Sequence, residues 1–250
     1  MNIDYPLQSQ ANELRALWHE AFGDDNDFMD AFFGYGFNPD RCRCITQDGK
    51  VVAALYWFDC SLNGQPIAYL YGIATAKSHR GKGLCRALLE NAHSHLKYLG
   101  YAGIILVPSG EKLFKMYEKL GYCTCCSISE FTCAAGGAPV SIRKIDGEEY
   151  CRLRRDFLPQ NGVLQEGDGL QFLDQMTDFY VGDDFLLTVA RQETFFATEL
   201  LGNTQAAPGI LAALHWNKGT FRYPGNQRSF AMYHPLSDLN PPAYFGLAFD

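Results

Sequence analysis

The chain has 250 residues, 47% hydrophobic and 14% aromatic, enough for a sizeable core in one or two domains; this composition excludes a disordered chain. The formal net charge is −7, and broad nucleic-acid binding is excluded because it needs clustered Lys and Arg. No run approaches the length of a membrane span, and the start, MNIDYPLQSQ, has no basic region followed by an apolar one, so the sequence predicts a cytoplasmic protein without a secretory signal.

In chain order, Leu14, Leu17, Trp18 and Ala21 fall on one face of a predicted helix over 9–22, which Gly23 ends. A second helix over 25–35 carries Phe28, Ala31, Phe32 and Tyr35. Acidic residues crowd this region: Glu20, Asp24, Asp25, Asp27 and Asp30. They read either as a solvated face with acids at a helix start, or as one wall of a binding cleft. Strands over 42–47 and 51–60 meet at Asp48-Gly49, a hairpin signal, and Asn63-Gly64 turns the chain into a third strand over 67–76. Gly72 inside that strand predicts a bulge.

Cys42-x-Cys44 and Cys123-x-Cys125-Cys126 look like ligand pairs. On strands, however, C-x-C puts both thiols on one face, and the C-x-x-C spacing of a structural zinc site is absent. The nine cysteines are therefore read as reduced and structural, with no metal.

The stretch from Tyr69 to Tyr122 carries the chemistry. After the strand come Lys77-Ser78-His79 and then Arg80-Gly81-Lys82-Gly83, and a helix opens at Leu84. The first N–H groups of a helix have no partner within it and carry fractional positive charge, so they suit an anion. Gly81 and Gly83 let a phosphate approach the backbone, and Arg80 and Lys82 add charge. A plain strand–helix turn fits the bare pattern as well. A strand over 104–107, a turn at Pro108-Ser109-Gly110 and a helix ending in Lys119-Leu120-Gly121 follow.

Taken together, this stretch resembles the GNAT superfamily of N-acetyltransferases. Its pyrophosphate loop, [Q/R]-x-x-G-x-[G/A], is here Arg80-Gly81-Lys82-Gly83-Leu84-Cys85, with Cys85 in place of the usual Gly or Ala. Its second signature stands as Tyr117-Glu118-Lys119-Leu120-Gly121-Tyr122, though the Asn often found near the start of that helix is replaced by the Ser109-Gly110 neighbourhood. The resemblance implies a mixed α/β fold for residues 1–135, with a central splayed sheet flanked by helices. It also implies that acetyl-CoA is the co-substrate and that a primary amine, of a small molecule or a lysine-like side chain, is the acceptor. Ile73 and Thr75 would offer backbone groups to the pantetheine arm, residues 80–85 would hold the pyrophosphate, and Tyr117 would protonate the leaving thiolate. Tyr117 also reads as a packing aromatic. An N–H near Ile73 or Ala74 is the candidate oxyanion donor. The acidic cluster points to a cationic acceptor.

By residue type, Asp59, Glu130 and His79 are candidate bases, and a water chain would serve as well. His93 and His95 read as surface or packing residues. The Eis-like tandem-GNAT enzymes bring a C-terminal carboxylate into the acceptor cleft, which makes Asp250 a further candidate, although this chain is too short for their third domain.

After a strand over 123–133, the small-residue stretch Ala134 to Pro139 is the best boundary. Residues 140–250 echo the first half without its loop: helices over 146–157 and 168–180, strands over 185–191 and 194–201, a helical stretch over 207–215, and strands near 220–223, 229–233 and 244–249. This order predicts a second, degenerate GNAT-like domain or an unrelated α+β domain. Function stays open between an N-acetyltransferase, a non-catalytic acyl-CoA-binding regulator and a tandem-GNAT transferase of another acyl group. Tyr117 favours the first over the second.

Overall fold

The structure is a computed structural model, and residues 2–249 are described. The chain divides into two compact units, Met1–Cys123 with Met232–Pro241, and Thr124–Ala231 with Pro242–Asp250.

The first unit contains β1 (Asn2–Asp4), α1 (Ala11–Phe22), α2 (Asn26–Ala31), β2 (Cys42–Gln47), β3 (Lys50–Leu62), β4 (Gln65–Thr75), α3 (Leu84–Tyr98), β5 (Gly103–Leu106) and α4 (Glu111–Glu118). Its strands lie in the order β1-β2-β3-β4-β5, and β5 then pairs with residues Met232–Pro235, which return from the end of the chain. Neighbours are antiparallel except β4 and β5, which run parallel and are joined across α3. The predicted hairpins form where Asp48-Gly49 and Asn63-Gly64 both take positive φ, the conformation that matches strand twist in two-residue turns. After α2 the chain passes through a wide π turn at Phe32–Gly36, where the sequence pattern predicts continuing α-helix.

Leu84, Leu88, Leu89, Ala92 and Leu96 recur at helical spacing and bury one face of α3 against Ile45, Leu55, Trp57 and Ile104. The opposite face of the sheet is aromatic. Trp18 of α1 stacks on Phe32 at 4.2 Å and leans on Tyr56 and Tyr71. Gly72 makes room for it: a Cβ there would meet the Trp18 ring at 2.3 Å, and its φ is +59°.

The second unit contains most of β6 (Cys123–Ala134), then β7 (Ile142–Ile145), α5 (Gly147–Phe157), β8 (Leu164–Gln165), α6 (Asp168–Met176), β9 (Thr177–Gly182), β10 (Phe185–Ala190), β11 (Phe195–Gly202), α7 (Ala207–Ala213), β12 (Lys218–Pro224) and the first half of β13 (Arg228–Pro235). Its strand order is β7-β9-β10-β11-β12-β6, antiparallel except for the β11–β12 pair, which α7 connects. The predicted helix over 168–180 stops at Met176, because Thr177 and Phe179 alternate with Asp178 and Tyr180 and pair with β10 instead.

The predicted strand over 244–249 does not form. The tail is buried from Tyr244 to Ala248 but makes only a single bridge, Tyr244 to Gly162. Gly246 explains the irregular path: it runs against Glu199, where a Cβ would meet the carboxylate at 2.0 Å. Asp250 lies outside the described residues.

Candidate active site

The site begins with a bulge. Ala54 pairs with Ala74 but Tyr56 pairs with Tyr71, so Gly72 and Ile73 together face Leu55. On its other side β4 pairs with β5 only from Ile67 to Tyr69. Among the described residues β5 does not pair with β4 beyond Tyr69. Ala76 N–H donates to Val52 O at 2.9 Å, and alternation along an antiparallel ladder then turns the backbone groups of Thr75 away from β3, while Ile73 stands in the bulge where the alternation breaks.

The loop after β4 is braced from both ends. Lys77 N–H donates to Glu20 Oε1 at 2.6 Å, and Arg80 Nε donates to Thr75 O at 3.1 Å. Gly81 and Gly83 both take left-handed φ, +75° and +77°, with open space where a side chain would project. Gly83 is the N-cap of α3 and offers no side-chain acceptor to the first turn. Among the described residues no protein acceptor takes the N–H groups of residues 81–85. This is an electropositive, unsatisfied helix start, the environment that an anion completes.

A cavity of about 360 Å³ opens here. Ile73, Thr75, Arg80, Gly81, Gly83, Leu84, Cys85 and Tyr117 all line it, while Lys82 does not. Ala21, Phe22, Ala74, His79, Leu113 and Met116 complete the lining. The Tyr117 hydroxyl makes no hydrogen bond to the protein among the described residues, and the residue is 6% exposed. Burial, and then the neighbouring Cys85, raise its pKa well above the ordinary phenol value, so the proton stays on. Burial likewise raises the Cys85 thiol.

The family profile of the acetyltransferase (GNAT) domain matches residues 3–125. These residues are a GNAT acetyltransferase domain. No curated protein matches the chain by sequence. Among solved structures, the chain is similar over 94% of its length to a GCN5-related N-acetyltransferase from Kribbella flavida, with 15% identity, 72% of that chain covered and a TM-score of 0.70. The same share of the chain is similar to a GCN5-related N-acetyltransferase from Anabaena variabilis, with 15% identity, 73% covered and a TM-score of 0.75. Eis1 from Mycobacterium abscessus also aligns over 94% of the chain, with 12% identity, 73% covered and a TM-score of 0.68. At such identities the likeness is one of fold. Acyl transfer is the reaction class of the domain.

Of the candidate bases, His79 lines the cavity of the acetyltransferase domain, its Nδ1 2.8 Å from Ser78 Oγ. Asp59 is held by the Tyr101 hydroxyl and by Arg41 at 3.2 Å. Glu130 lies in the second unit; Arg222 and Arg228 reach it at 2.9 and 3.0 Å and, against the effect of burial, lower its pKa. The acidic cluster has local partners. Besides Glu20, Asp24 accepts from Trp18 Nε1, Asp25 caps α2 through Phe28 N–H, and Asp30 pairs with Arg15.

Periodicity carried a signal for part of what sequence reading left out, since Leu113, Met116 and Tyr117 stand at i, i+3 and i+4 on α4. Phe22 has only its place at the end of α1 to mark it. In the second unit a larger, open groove of about 930 Å³ lies over α5 and α6. Charged side chains dominate it, and several pair with one another, among them Arg155 with Glu166 and Arg152 with Glu149.

Proposed function

We propose that the first unit transfers an acetyl group from acetyl-CoA to the primary amine of a small cationic acceptor in the cytoplasm, by direct attack on the thioester. The observation that carries this reading is one cavity lined by Ile73 to Thr75 of β4, the start of α3, whose first N–H groups have no protein acceptor among the described residues, and Tyr117. Its volume lies within the usual range for small-ligand sites, about 300–1,000 Å³.

In this reading the pyrophosphate meets the N–H groups of residues 81–85 with Arg80 beside them, and the pantetheine arm lies along Ile73 and Thr75. The amine nitrogen bonds to the acetyl carbon and the carbonyl oxygen takes negative charge, which the Ile73 N–H stabilises. The C–S bond then breaks, Tyr117 gives its proton to the thiolate, and the proton the attacking nitrogen loses passes through water and restores the phenol. A phenol with a raised pKa remains a fitting donor, because the same dry cavity raises the thiol's pKa as well. Asp24 and Asp25 follow Phe22 at the turn after α1 and give the acceptor side a negative field. The second unit we read as a degenerate copy of the fold, with the same strand order and no glycine-rich loop before α7. Calorimetry should therefore find one acetyl-CoA per chain.

The deciding experiment follows free thiol while acetyl-CoA is offered with a panel of amines. Rapid thiol release with a cationic amine is the expected result. Binding of acetyl-CoA without turnover on any amine would assign the chain to acyl-CoA sensing instead.

A further inference from the structure

Behind the cavity, three rings from distant parts of the first unit close on one another. Tyr122 follows the end of α4, is 3% exposed, and sets its ring edge-on to Tyr117 at 5.5 Å. Its hydroxyl lies 2.9 Å from His93 Nε2 on α3. His93 stacks face to face on His234, with centroids 4.0 Å apart and planes 16° apart. His234 belongs to the segment that returns to pair with β5, and its Nδ1 lies 3.1 Å from Gly121 O. A carbonyl only accepts, so Nδ1 carries the proton.

This contact falls on the cap that ends the Tyr117 helix. Gly121 takes φ +84°, and the Tyr117 carbonyl accepts from Leu120 N–H at 2.9 Å and Tyr122 N–H at 3.1 Å. A Cβ on Gly121 would come within 3.2 Å of the His234 ring, so the two fit closely. None of the three rings lines the cavity, whereas Tyr117 does. With no protein partner for its hydroxyl, Tyr117 is oriented by packing alone, and the packing on this side is the ring cluster.

We infer that Tyr122, His93 and His234 are positioning residues that hold the Tyr117 phenol in the orientation that delivers its proton. This rests on Tyr117 as the acid of the proposed reaction. The cluster works with both imidazoles neutral. The titratable groups facing the stack are the two histidines themselves, Tyr122 from the end of α4 and Tyr117 beyond it, and no carboxylate bonds to either imidazole among the described residues. A proton on one ring then puts an unpaired charge between partly buried, stacked surfaces. Acid should open the cluster before it denatures the sheet.

The test measures kcat against pH at saturating acetyl-CoA, together with acetyl-CoA affinity. His234→Ala should lower kcat about tenfold, the scale on which small misplacements of a reacting group act, with affinity within about twofold of wild type. The wild-type fall in kcat on the acid side should flatten in this variant. His234→Asn keeps an N–H for Gly121 O and should recover most of the turnover while the acid fall stays flat. Wild-type kcat and pH profile in His234→Ala would overturn the proposal, as would an equal loss of kcat and affinity. Tyr117→Phe separates the two layers. If it turns over as wild type, the acid assignment fails and the cluster's purpose with it. If it is slow while His234→Ala is not, only the cluster proposal fails.

Discussion

The two units lay out their strands alike and treat the same place in opposite ways. In the first, β4 and β5 stop pairing at Tyr69 and Ile105; in the second, β11 and β12 stop pairing at Ala197 and Phe221. Two residues further along stand Tyr71 and Glu199. Beside Ile73 to Thr75 a cavity forms. Around Glu199 everything is filled. Its carboxylate accepts from Tyr150 Oη at 2.6 Å, from Arg154 Nε and Nη2 at 2.7 and 2.8 Å, and from Tyr244 Oη at 3.0 Å, while Arg154 Nη1 donates to Val163 O. Both charged side chains are essentially sealed from water. One copy of the layout leaves donors unsatisfied for a ligand to complete, and the other completes them from its own side chains. A binding site on this frame is thus a place where the chain withholds its own partners.

Gly83→Asp attacks the open copy most directly. It puts a carboxylate where the anion belongs, and acetyl-CoA binding should vanish in calorimetry. The fold should survive with a modest fall in melting temperature, since nothing lies within 4 Å of the added Cβ but φ +77° strains any side chain. Retained binding would remove the loop from the site.

Glu199→Ala breaks the filled copy. It strands the buried Arg154, and losing one partner of a buried pair costs about 3–5 kcal/mol. Chemical denaturation should show that loss, with acetyl-CoA affinity kept below the transition. An unchanged midpoint would mean that the network is not what fixes the second unit.

Gly72→Ala sharpens the comparison at the bulge. Positive φ and the Trp18 ring both oppose a methyl, so a cost of about 1–3 kcal/mol is expected, with weaker acetyl-CoA binding as the edge shifts. A variant as stable as wild type would show that Trp18 can yield.

The smallest effect is one of pH. Burial and then His234 lower the His93 pKa to about 4, and burial lowers that of His234. The unfolded chain therefore takes up these protons first, near pH 6.5. The stability the histidines contribute is present above that pH and is lost as pH falls through the folded value near 4. Melting temperature against pH should show this decline, and His93→Asn should flatten it.

Much of the first unit was legible because its signals are local. Asp48-Gly49 turns where it was expected to, the α3 face follows from the spacing of its leucines, and Ile73, Thr75, Arg80, Gly81, Gly83, Leu84 and Cys85, though not Lys82, meet Tyr117 at one cavity. What escaped depends on partners far along the chain. No pattern near His93 announces His234, and nothing in the apolar run Ala243 to Phe249 says that Glu199 and Gly162 wait for it. Local apolar content also misread Thr177–Tyr180, where pairing with β10 overrode the helical pattern before it.

The return of Met232–Pro235 to β5 also sets a clock on the making of the protein. A ribosome emits β5 well before Met232–Pro235, the strand that covers its outer edge. Until then Ile104, Ile105 and Leu106 sit at a bare edge, the kind that recruits other chains. The first unit is thus closed only once Met232–Pro235 has been made. A nascent chain halted before Met232 should present that edge to chaperones and proteases, and one released after Pro235 should not.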